Sequence, residues 1–141
     1  ATAHVEVNEV IESTVEAVEP DIVYTHSPHE VNKDHVAVYE STLVAARPGS
    51  GVDRIYAYET PSSTKWTGGS RRQFSPDRYT DVSGYVDTKV QAFTEYETEV
   101  REFPHPRSER AIQARATTRG VEAGFEAAEA FSLEIAREDE I

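Results

Sequence analysis

Three of the five histidines in this 141-residue chain fall within ten positions, at His26, His29 and His35, with Glu30, Asn32 and Asp34 between them. Imidazole, carboxylate and amide side chains are the groups from which metal sites and acid–base sites are built. A helical pattern starts at Asn32-Lys33-Asp34-His35, so Asp34 and His35 belong to a first helical turn. There the positive field of unpaired backbone N–H groups favours an anion and disfavours imidazolium. A neutral imidazole is the metal-ligating form, and a carboxylate beside a ligand histidine orients its ring. Spacing alone leaves two readings open. Either His35 is a metal ligand, or the segment is an N-capped helix with a polar surface, since Asp-His pairs also arise by chance.

The elements that carry this loop can be read on both sides of it. Val7, Val10, Ile11, Thr14, Val15 and Val18 recur at helical spacing, and Pro20 stops that helix. Ile22-Val23-Tyr24-Thr25 is a continuous run, as expected of a strand buried on both faces of a parallel sheet. Asn32 is a good N-cap for a helix whose face is Val36, Tyr39, Leu43 and Ala46, ending before Pro48-Gly49. Ile55 to Tyr58 is a second buried strand. The junction after a strand and before a helix is where open α/β sheets bind ligands.

Further along, Thr60 to Asp77 is rich in Ser, Thr, Gly, Pro and Arg, which predicts a long surface loop of the kind that serves as a lid. Tyr79 to Val82 reads as a short strand, and Ser83 as the cap of a helix carrying Val86, Val90, Phe93 and Val100. Phe103-Pro104-His105-Pro106-Arg107 is a rigid connector, and Ser108 caps a helix reaching Gly120 or Gly124. Phe131, Leu133 and Ile135 alternate with polar residues, predicting a final strand. Alternating strands and helices make this an α/β protein, and its length suits one domain over residues 1–141.

Twenty-six acidic residues stand against fourteen basic ones, a formal charge of −12. That balance argues against a nucleic-acid partner, which needs clustered Lys and Arg. Eleven of the basic residues are arginine and three are lysine. Many carboxylates with little lysine suit a protein of a high-salt cytoplasm, where self-repulsion is screened; an ordinary acidic protein is the alternative. No apolar run approaches the roughly 20 residues of a membrane helix, so no membrane span, no signal peptide and a cytoplasmic location are expected. The absence of cysteine excludes disulfides and thiolate metal sites.

Thr25-His26-Ser27-Pro28-His29-Glu30-Val31-Asn32-Lys33-Asp34-His35 resembles the second signature of the LmbE/PIG-L family of zinc-dependent N-deacetylases. That signature reads Thr-His, three variable residues, an acid, a variable residue, Asn or His, a variable residue, then Asp-His. Further similarities follow in order: Tyr58 to Thr64 with Trp66, Tyr79 to Ser83 with Lys89, Pro104 to Ser108, and Arg119-Gly120 through Phe131. They cover essentially the whole chain. The resemblance implies a Rossmann-like, mostly parallel sheet with flanking helices.

By this resemblance His35 is a zinc ligand, while Asn32 and Asp34 line the catalytic pocket. An amide donates to an oxyanion but is no general acid at neutral pH, so no proton-transfer role carries over to Asn32. Glu30 stands where aspartate is more usual. The family's opening Ala-His-Pro-Asp-Asp motif, with its two further ligands and general base, has no counterpart, because Ala3-His4-Val5-Glu6 lacks Pro-Asp-Asp. The chain therefore resembles the C-terminal portion of such an enzyme, its N-terminal part missing. His26 and His29 offer only a remote substitute ligand set. His105 and Arg107 either meet a sugar or anionic substrate at the cleft rim or anchor a rigid loop. The implied activity is removal of an N-acetyl group from an amino-sugar-like small molecule, with a homo-oligomer or an N-terminal piece as partner. The alternatives are a catalytically silent fragment and an acidic binding protein that keeps the fold.

Overall fold

The computed structural model describes residues 4–69 and 72–138. The chain runs α1 (His4–Val18), β1 (Ile22–His26), α2 (Lys33–Ala45), β2 (Arg54–Tyr58), β3 (Arg78–Asp81), α3 (Val86–Thr94), α4 (Glu109–Ala123) and β4 (Ala128–Ala136). One four-stranded sheet has the order β1-β2-β4-β3. The backbone divides into two compact units, residues 1–75 with 131–141 and residues 76–130, so β4 contributes to both.

In the first unit β1 and β2 pair in parallel, with Ile22 opposite Arg54 and His26 opposite Tyr58. β4 returns antiparallel to β2, with a register shift between Ile55 and Tyr56. The α/β class with flanking helices stands, and the sheet is mixed: α2 supplies the crossover that a parallel pair requires, whereas the tail strand runs antiparallel. α1 and α2 pack together over a core of Val15, Ala45, Ala46, Val52 and Ile55, joined by Ile11, Val23, Leu43 and Ile135. Arg137 locks the tail onto this layer by donating to the carbonyls of Val52 (2.6 Å) and Ala46 (2.9 Å).

β1 departs from its expected double burial. Thr25 is buried, but Ile22 is 40% and Tyr24 54% exposed. The reason is layering: α1 and α2 pack on the face that carries Val23 and Thr25, and Ile22 and Tyr24 point to the other face. Tyr24 stacks on Tyr56, ring centroids 5.4 Å apart, and meets the edge of Phe131 at 5.2 Å. An apolar run thus reads as a buried strand even where one of its faces is open.

The segment after β2 is also more packed than a surface loop. Ser62, Ser63, Thr64, Thr67 and Phe74 are buried, and Lys65–Thr67 forms a short 3₁₀ turn. Residues 70 and 71 of that expected loop lie outside the described residues.

In the second unit Ser108 caps α4 as expected, its Oγ accepting from the N–H of Ala111 at 3.3 Å. Gly124 ends the helix in the left-handed conformation at φ 81°. α3 begins two residues later than a Ser83 cap would set it and ends at Thr94, leaving Val100 outside. Ser83 instead turns to the Asp81 carboxylate at 2.5 Å, a local bond that competes with capping. Gly120 sits where α4 meets the following turn: a Cβ there would lie 2.6 Å from the Phe125 carbonyl oxygen and 2.7 Å from Ala127.

Candidate functional site

β1 ends at His26, and the chain crosses to α2 in six residues. Ser27 anchors the start of this crossing. Its N–H donates to the Tyr58 carbonyl (3.1 Å), and its Oγ accepts from the His29 N–H (3.0 Å). Thr25 ties the strand to the helix through Thr42, hydroxyl to hydroxyl at 3.0 Å. Asn32 closes the crossing as the N-cap of α2, its Oδ1 accepting from the Asp34 N–H at 2.9 Å. This bond fixes the amide of Asn32 and leaves its Nδ2 free to point elsewhere.

Glu30 lies beneath this loop, 1% exposed. Its Oε2 accepts from the Thr64 hydroxyl at 3.1 Å, and its Oε1 from the Asn32 N–H at 3.4 Å. Thr64 is itself held by the N–H of Thr60, which donates to its Oγ1 at 2.7 Å. Burial alone would raise the Glu30 carboxyl, but donors at Ser63, Asn32, His35 and Thr64 outweigh it and hold the group below its ordinary range. Ser63 Oγ and His35 Nδ1 act on the carboxylate by proximity, short of full hydrogen-bond geometry.

His35 projects from the first turn of α2 so that Nδ1 lies 3.4 Å from Glu30 Oε2. Its ring lies flat on that of His26, centroids 3.9 Å apart and planes 6° from parallel. His26 Nε2 is 3.3 Å from the Tyr58 hydroxyl. Burial, then the neighbouring His35 ring, lowers the His26 pKa to about 4 against a weaker opposing pull from Glu30. Sequence reasoning places His35, Asn32 and Asp34 at one helix start, and the structure brings them together there. It leaves Glu30 without a role and His26 without a partner. The signal that could have found them is the parallel register, which sets His26 opposite Tyr58, with Thr64 a few residues on.

His105 and Arg107 belong to the second unit. There the Arg107 N–H donates to His105 Nδ1 at 3.1 Å, and the Arg107 guanidinium pairs with Glu99. The Ser108 N–H donates to the His105 carbonyl at 3.0 Å. These bonds hold the connector that leads into α4.

A catalytic zinc takes three protein ligands and an open position. His35 has the carboxylate neighbour typical of a ligand histidine, but among the described residues no three His, Asp or Glu side chains are grouped to hold a metal ion. These residues by themselves do not fit the zinc that the sequence resemblance implies.

No family model and no curated protein sequence matches the chain. Its fold is similar to solved structures. The conserved protein TT1542 from Thermus thermophilus aligns over 96% of this chain and 61% of its own, with TM-score 0.70 and 17% identity. The A40926 pseudoaglycone deacetylase Dbv21 aligns over 97% and 60%, with TM-score 0.70 and 18% identity. The N,N'-diacetylchitobiose deacetylase from Pyrococcus horikoshii aligns over 92% and 51%, with TM-score 0.62 and 13% identity. At such identities the likeness is one of fold, and the chain spans only about half to three-fifths of these structures' lengths. The chain therefore has the fold of a region found in two deacetylases and in TT1542.

Proposed function

We propose that this chain is the C-terminal portion of a hydrolase that removes an N-acetyl group from an amino-sugar-like substrate. The observation that carries the reading is the fold shared with two deacetylases over 92% and 97% of this chain. The strand-to-helix crossing that holds His35 against Glu30 supports it. Zinc dependence belongs to the same proposal, with His35 as one ligand and the rest of the set outside the described residues. In the proposed site Asn32 donates from Nδ2 to the oxygen of the scissile acetamide, its Oδ1 already committed to the helix cap. Asp34 lines the same proposed site from the first turn of α2. Substrate contact by His105 and Arg107 is part of the same proposal.

A second reading, that the chain comes from a truncated gene product with no catalytic activity at all, is favoured by the missing ligand group among the described residues. One assay separates the two. Acetate release from N-acetylglucosamine and diacetylchitobiose is measured for the chain alone and for the full product of its gene, each with zinc and after chelation. The proposal expects turnover in the full product only, lost on chelation and in His35→Ala. Absence of turnover in the zinc-loaded full product, or turnover that survives His35→Ala, would overturn it.

A further inference from the structure

His35 is held from two directions, and only one of them is a hydrogen-bonding group. At its edge stands Glu30, itself fixed by Thr64 and the Asn32 N–H. On its face lies the His26 ring, 6° from parallel. A histidine on a first helical turn has a broad, roughly two-fold χ2 well, so a carboxylate at one edge does not by itself set the plane of the ring. A flat ring at 3.9 Å does. His26 in turn is steadied by Tyr58, whose hydroxyl is 3.3 Å from Nε2 and whose ring is centred 4.9 Å away. Both residues close their strands at the same register position, so the parallel pairing of β1 and β2 sets the pair in place.

Packing alone does not explain a histidine at position 26. Its Nδ1 is buried with no hydrogen-bond partner, a cost that Phe or Leu would avoid. Local costs of this kind are borne where a site must be held in one geometry. We infer that His26 is a positioning residue for the His35 imidazole: its ring fixes the plane of His35, Tyr58 fixes His26, and the Glu30 carboxylate, 3.4 Å from Nδ1, favours the tautomer protonated there. The Nε2 edge of His35 is then presented in one orientation. The purpose of that order rests on the hydrolase reading, but the order itself does not.

The test is nitrogen-15 and carbon-13 NMR of the histidine side chains in this chain, at a pH where both rings are neutral. It compares the parent with His26→Phe, His26→Leu and Tyr58→Phe. The parent should show His35 as a single Nδ1–H tautomer with an ordered ring. His26→Phe, which keeps a flat ring, should preserve both properties. His26→Leu should mix the tautomers of His35 and loosen its ring while the melting temperature stays close to the parent's, a change that lost packing alone would not produce. An unchanged His35 in His26→Leu overturns the inference. Should that variant fail to fold, Tyr58→Phe decides: disorder spreading from His26 to His35 supports the inference, and two unchanged rings overturn it. Lack of deacetylase activity in the full gene product would sink the functional proposal and leave this result standing.

Discussion

At the scale of single residues, the groups around His35 make the first unit sensitive to acid. The His26 pKa falls from an ordinary 6.5 to about 4 in the folded chain. Between those values the unfolded chain binds a proton that the folded chain does not, so stability drops as the pH is lowered through this window. Glu30 is held below its ordinary 4.5. Its contribution is present above that value and is lost as the pH falls through its folded pKa. The two effects have the same sign. Denaturant melts from pH 8 downward should therefore show the midpoint begin to fall near pH 6.5, with a further drop below about pH 4.5. His26→Gln should flatten the upper part of the curve and leave the lower part. A midpoint that rises on acidification would contradict both assignments.

At the scale of elements, two features carry expectations of opposite kinds. Gly120 lies where α4 and the turn after it nearly touch, and a methyl group there would meet backbone atoms at 2.6–2.7 Å. Backbone cannot swing aside as a side chain tip can. Gly120→Ala should therefore cost about 1–3 kcal/mol, the usual range for overpacking, although alanine is the better helix former. Urea melts should show this, and a stabilised variant would mean that the turn yields easily. The other feature is β1. It ends the sheet with Ile22 and Tyr24 exposed, and a free strand edge is a template for another chain. We expect two copies to pair along this edge, with light scattering giving a dimer that weakens when Ile22 and Tyr24 are both changed to Lys. The melting temperature should hardly move. A concentration-independent monomer would rule that pairing out.

At the scale of the whole molecule, the charge of −12 dominates. Repulsion among so many carboxylates reaches across the protein when the screening length is about 30 Å at 0.01 M salt, and is confined to near neighbours when it is about 3 Å at 1 M. The thermal midpoint should rise across that range. The acid-sensitive pair of half-buried His26 and buried Glu30 should respond to salt less than the surface does. A flat or falling midpoint would remove the high-salt reading of the composition.

Local rules are enough to read most of the elements. The helical repeat of α1, the Asn32 and Ser108 caps, the β2 run and the alternation in β4 are each decided by neighbours a few residues apart, and they stand where the pattern puts them. The start of α3 departs from the pattern because Ser83 has a competing local partner in Asp81. The sequence by itself also determined the acidity of the chain and the grouping of Asn32, Asp34 and His35 at one helix start. Tertiary structure decided the rest. Whether an apolar run such as Ile22 to Thr25 is covered on one face or two depends on what packs over the sheet, and no local pattern encodes that. The pairing of Glu30 with Thr64 joins residues 34 positions apart, and the stacking of His26 on His35 depends on how a strand end and a helix start are brought together. Side chains distant along the chain become neighbours only once strand register and crossover are set. The order imposed on the one imidazole that the sequence singles out is therefore a property of the fold.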